Sequence, residues 1–138
     1  MKHVALLIVS LFSVAAMATN KFKMYNKPFA KPDPTCDVHT VLQIDNAKNG
    51  ITVTLFNALS GMCELFVQPD QRTYVAAVEP DKEGCGSTTY IARDARTGKP
   101  LFKLVNNRGR TCENVIPALI VTTEYINGNE LTLYSKDN

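Results

Sequence analysis

The chain has 138 residues, with 15 Lys and Arg against 13 Asp and Glu, four cysteines and no tryptophan. That length is one domain, and it disfavours multidomain enzymes, dinucleotide-binding folds and long coiled coils. The near balance of charge lacks the strongly basic character of a nucleic-acid-binding domain, so no nucleic-acid partner is expected.

Met1-Lys2-His3 precedes an apolar run from Val4 to Ala16, and Ala16-Met17-Ala18 has the form of a cleavage site. Residues 1–18 therefore read as a secretory signal peptide cut after Ala18. The run is short for a bilayer crossing, and no membrane span is expected in the mature chain. The protein is expected to be secreted or periplasmic.

Residues 19–35 hold Lys21, Lys23, Lys27 and Lys31 with Pro28, Pro32 and Pro34. Proline fixes φ and removes a backbone donor, so an extended, mobile N-terminal arm is expected. Phe22, Tyr25 and Phe29 offer it means of docking on the body.

From Cys36 onward the texture is β. Val38 to Ile44 is rich in β-branched residues, and Asp45 to Gly50 is turn chemistry. Ile51, Val53 and Leu55 alternate with Thr52 and Thr54, which puts the three apolar groups on one face. Further strands are expected over 64–68, 73–79, 87–92, 101–105, 118–126 and 130–135. Asn127-Gly128 suits a tight hairpin, because both central positions of a type I′ turn need positive φ. Glu113 to Ile116 suits a single helical turn. The sum is an all-β domain over 36–138, with about eight antiparallel strands in a small barrel or sandwich.

Cys36 and Cys63 are 27 positions apart, and so are Cys85 and Cys112. An even cysteine count in an exported chain implies two disulfides. A hairpin between each pair returns the chain to its first cysteine, so Cys36–Cys63 and Cys85–Cys112 are the favoured bonds. Laying residues 36–84 on 85–138 without gaps also matches Thr40 with Thr89, Asp45 with Asp94, Leu55 with Leu104 and Asn57 with Asn106. This correspondence suggests an internal repeat of two four-stranded halves.

Catalysis has little to work with. His39 is the single histidine after the leader, and it sits in a strand pattern. The serines are not in a nucleophile elbow. Asp45 and Asp94 are explained as turn formers. The cysteines lack metal-site spacing. No catalytic residue, metal or cofactor is assigned, and a non-catalytic role is expected.

Binding is the better class, because loops on a rigid disulfide-stapled frame carry recognition. Two loops run into second cysteines. One includes Leu59 and Met62, and the other includes Asn107, Arg108, Gly109 and Arg110. Such an anchored loop could serve a protease inhibitor, with an arginine for a trypsin-like pocket. Alternatively, Arg93, Arg96, Lys99 and Lys103 make a basic patch with Arg108 and Arg110, suited to an anionic polymer or membrane surface. A structural envelope component with an exposed sheet edge is the third reading. The expected partner is a protein or anionic polymer outside the cytoplasm.

Overall fold

The computed structural model describes residues 19–64, 67, 70–80, 84–112, 116–124 and 128–136. The expected leader lies outside these residues, as does most of the expected turn at 113–116. Among the described residues there are eight strands: β1 (Thr19–Tyr25), β2 (Cys36–Ala47), β3 (Gly50–Gly61), β4 (Gln71–Glu79), β5 (Thr88–Arg93), β6 (Pro100–Asn106), β7 (Leu119–Glu124) and β8 (Glu130–Ser135). Each pairs antiparallel with its sequence neighbour, and β8 returns to β1, so the sheet closes into a barrel.

Alternation sets the two faces. Ile51, Val53 and Leu55 of β3 point inward and are buried, while Thr52 and Thr54 between them are half-buried. Leu42, Phe102, Leu104, Leu119, Val121 and Met24 complete a filled interior. An eight-stranded barrel is just wide enough for side chains to fill, and here they do. The Tyr74 and Phe102 rings stack across this interior with centroids 5.1 Å apart. The Tyr74 hydroxyl lies 3.1 Å from Thr123 Oγ1, which donates to the Leu101 carbonyl at 3.0 Å. Arg72 donates to the Glu124 carbonyl near one mouth of the barrel.

An up-and-down order makes successive connections alternate between the two ends. The β2–β3, β4–β5 and β6–β7 connections share one end, called the near end below. The other four connections share the far end. Cys36–Cys63 closes the far end and Cys85–Cys112 the near end, with Cα separations of 4.9 and 5.3 Å. The expected pairing is correct. Each bond staples the open end of one hairpin, β2–β3 or β5–β6.

Not every expectation holds. Residues 19–35, expected as a mobile arm, supply barrel strand β1, which pairs with β2 from Thr19 to Met24. The following stretch lies on the body with Ala30 buried, and Asp33 Oδ1 accepts from the Thr35 amide at 2.8 Å. Of the expected strand over 64–68, Glu64 and Val67 lie outside any strand, and the other three positions are outside the described residues.

The described strands therefore divide as one, three and four, not as two sets of four. The gapless overlay also fails in register. It would pair Tyr90 with Val105, whereas Tyr90 pairs with Leu104 and Ile91 with Lys103. A one-residue difference exchanges the two faces of a strand. Leu42 consequently points into the core while Ile91, its counterpart in the overlay, points out. The turn signal at Asn127-Gly128 falls between β7 and β8, which pair antiparallel as far as Glu124 with Glu130, and Gly128 has the positive φ it calls for, +84°.

Candidate functional site

Three cavities open on the barrel, and two of them carry clusters of cations. The outer faces of β5 and β6 carry Thr89, Ile91, Arg93, Lys103 and Val105. With Ile120 of β7, Glu79 at the end of β4, and Asn107, Arg110 and Ile116 from the β6–β7 connection, they line a groove of about 520 Å³. Its floor is apolar (Ile91, Val105, Ile120) and its rim is basic (Arg93, Lys103, Arg110). One rim carboxylate, Glu79, is held by Arg93 at 3.4 Å.

The near-end loop is built around Asn107, which is buried. Its amide donates to the Ala118 carbonyl at 2.7 Å, and its carbonyl accepts from the Arg110 amide at 3.0 Å. Its side chain donates to the Pro117 carbonyl at 3.0 Å and accepts from Ser87 Oγ at 2.7 Å. A buried amide group needs its partners, and this one has them on three segments. Thr111 then ties the loop to the Cys85 carbonyl at 2.7 Å through its amide. Gly86 permits the approach: its φ is +86°, and a Cβ there would sit 2.7 Å from the Gly109 oxygen.

A turn at 107–110 sends alternate arginines to different places. Arg110 lines the groove. Arg108 lies over the Phe22 ring, 4.5 Å from its centroid. There it joins Lys21, Lys23 and Lys136 around a second cavity of about 350 Å³ beside the β1–β8 junction. Asp37, on the wall of this cavity, accepts from Lys23 Nζ at 3.3 Å and from the Tyr25 hydroxyl at 3.0 Å. Burial opposes the Asp37 charge, but those two bonds, with the nearby charges of His39 and Lys23, hold its pKa below the ordinary value. Tyr25 moves the other way: burial, then the bond to Asp37 and its charge, push the phenol up to about 12.

His39 is packed in β2 with its side chain 3% exposed, and Nδ1 is 3.4 Å from Asp37 Oδ1. It also lines a cavity of about 450 Å³ with Tyr25, Thr40 and Asn57. Among the described residues no group of three His, Cys, Asp or Glu gathers as a metal site.

The structure separates several residues that the sequence grouped. Leu59 belongs to β3, paired with Val38, and Met62 follows it at the far end, 90% exposed. They are at the opposite end from Asn107, Arg108, Gly109 and Arg110. Of the basic patch, Arg93 and Lys103 line the groove, but Arg96 and Lys99 sit in the far-end β5–β6 turn. Lys99 Nζ is 2.8 Å from Glu124 Oε1 there. Conversely, Lys21, Lys23 and Lys136 were not grouped with the patch. Alternation of Lys21 and Lys23 with Phe22 and Met24 was the available signal that this segment is a strand with lysines facing out. No protein-family model matches the chain, and no match was found among curated proteins or solved structures.

Proposed function

We propose that this is an exported, non-catalytic binding protein that holds an anionic macromolecule in the groove on β5 and β6. The observation that carries the reading is the groove's make-up: Arg93, Lys103 and Arg110 around Ile91, Val105 and Ile120. Cations beside an apolar floor attract a negative chain and give its apolar faces a surface to rest on. Two disulfides support an oxidising compartment.

The inhibitor reading uses the same loop, but a reactive loop needs a projecting arginine. Residues 107–110 close a turn and Arg108 rests on Phe22, which favours the groove. Lys103 is exposed and makes no ion pair with the described residues, so Lys103→Ala is a clean test. Losing one charge-assisted bond of about 1.5 kcal/mol weakens binding roughly tenfold. The test is affinity for a sulfated matrix across a salt series. Equal affinity and equal salt slope for wild type and Lys103→Ala would remove the proposal. Trypsin inhibition abolished by Arg108→Ala would put the loop reading in its place.

A further inference from the structure

We infer that the ligand is an extended acidic polysaccharide that occupies the groove and the β1–β8 cavity together. This inference rests on the groove reading above. The two cavities adjoin through shared segments: Arg110 and Ile120 line the first, Arg108 and Ala118 the second. In each pair the residues are two positions apart on one piece of chain. The near-end loop is thus a divide with a cation on either side.

Charge is continuous across that divide. The groove contributes Arg93, Lys103 and Arg110, and the cavity adds Arg108, Lys21, Lys23 and Lys136. Among the described lining residues the only carboxylates are Glu79 and Asp37, which pair with Arg93 and Lys23, so the charge offered to a ligand comes from Lys103 and Arg110 in the groove and from Arg108, Lys21 and Lys136 in the cavity. Going from β5 to β1 by way of β8 crosses four strand spacings, about 19 Å of wall. A small anion reaches one cavity. A chain that reaches both turns the second contact into an intramolecular one.

The walls also select the kind of chain. Stacked bases need open aromatic faces. The aromatics lining the two cavities are Phe22 and Tyr25; Arg108 already covers the first, and the second is buried with its hydroxyl on Asp37. An extended peptide binds a sheet through main-chain groups at an edge. Here β5, β6 and β7 are paired on both sides, so the groove floor has no edge. A sulfated or carboxylated sugar chain needs neither: it presents charges to the rim and C–H faces to the isoleucines.

The test measures affinity of the oxidised protein for a size-graded series of dextran sulfate oligomers at one ionic strength. Wild type, Lys103→Ala and the double variant Lys21→Ala/Lys136→Ala are compared. All three lysines are exposed, and melting curves confirm that the fold is kept. Long oligomers should bind about a hundredfold more tightly than the shortest ones. The double variant should lose most of that gain and leave the shortest oligomers unaffected. Lys103→Ala should weaken both. If affinity does not grow with length, or if the double variant binds long oligomers like wild type, the two-cavity ligand is overturned while the groove reading stands. If Lys103→Ala changes nothing, the groove reading itself fails. Equally tight binding of polyglutamate or a single-stranded oligonucleotide of the same charge would overturn the choice of a sugar chain.

Discussion

The guanidinium of Arg108 lies on the face of Phe22, 4.5 Å from the ring centroid, and so joins the β6–β7 loop to the first strand of the barrel. A cation over an aromatic face at an exposed site contributes about 0.5–1 kcal/mol. Arg108→Ala should therefore lower unfolding stability by that amount in urea denaturation. Arg108→Lys should recover part of it. A variant as stable as wild type would show that the loop does not depend on this contact.

Asn107 is a more consequential anchor. Asn107→Ala removes two side-chain bonds and leaves the Pro117 carbonyl without that donor and Ser87 Oγ without that acceptor. Each buried group left unsatisfied costs about 1–3 kcal/mol. The expected loss is about 2–5 kcal/mol, with weaker binding to the sulfated matrix because the turn that carries Arg110 loses its side-chain ties to Pro117 and Ser87. Unchanged stability would mean that water replaces both bonds without cost.

The two disulfides should be alike in stability and different in function. Each closes a loop of 27 positions, worth about 3.5 kcal/mol on the chain-entropy model. Cys85→Ala/Cys112→Ala should lower the melting temperature and also weaken binding, because it frees the near-end loop. Cys36→Ala/Cys63→Ala should lower the melting temperature to a similar degree and leave binding of the shortest oligomers in the groove intact at temperatures where it is folded. Equal effects on binding would place the site away from the near end.

Asp37 gives a pH signature. Its pKa is lowered in the folded protein, so its contribution is present above the ordinary carboxylate value of about 3.9 and is lost as pH falls through the folded value. Tyr25 has the opposite sign. Its raised pKa contributes stability below about 10, which is lost as pH climbs to about 12. Tyr25→Phe should therefore be less stable than wild type near neutrality, with the gap narrowing at both extremes. A gap that stays constant with pH would detach Tyr25 from Asp37.

Local chemistry was legible wherever one strand or one hairpin decides the outcome. The alternation of Ile51, Val53 and Leu55 gives their face directly, and equal cysteine spacing gives the disulfides. The signal failed where distant pairings decide. In 19–25 the lysines and nearby prolines outweigh the alternation of Phe22 and Met24, and only closure against β2 and β8 makes that segment a strand. The division of Arg108 from Arg110 follows from a turn held by Asn107, whose partners come from three separate segments. The suggested repeat survived on residue identities because identities do not reveal register; Ile91 and Leu42 look equivalent until their pairing is known.

Closure itself is unequal around the barrel. β2 and β3 are joined by twelve register pairs, whereas β1 and β8 share two, Met24 with Ser135 and Tyr25 with Tyr134. The cylinder is a rolled sheet with a short clasp. Hydrogen exchange should find that clasp first, since a two-rung junction opens at lower cost than a twelve-rung one. Lys21 of β1 and Lys136, the residue after β8, stand beside it, so a polyanion lying across them would also act as a fastener, and the amides of β1 and β8 would exchange more slowly in the complex.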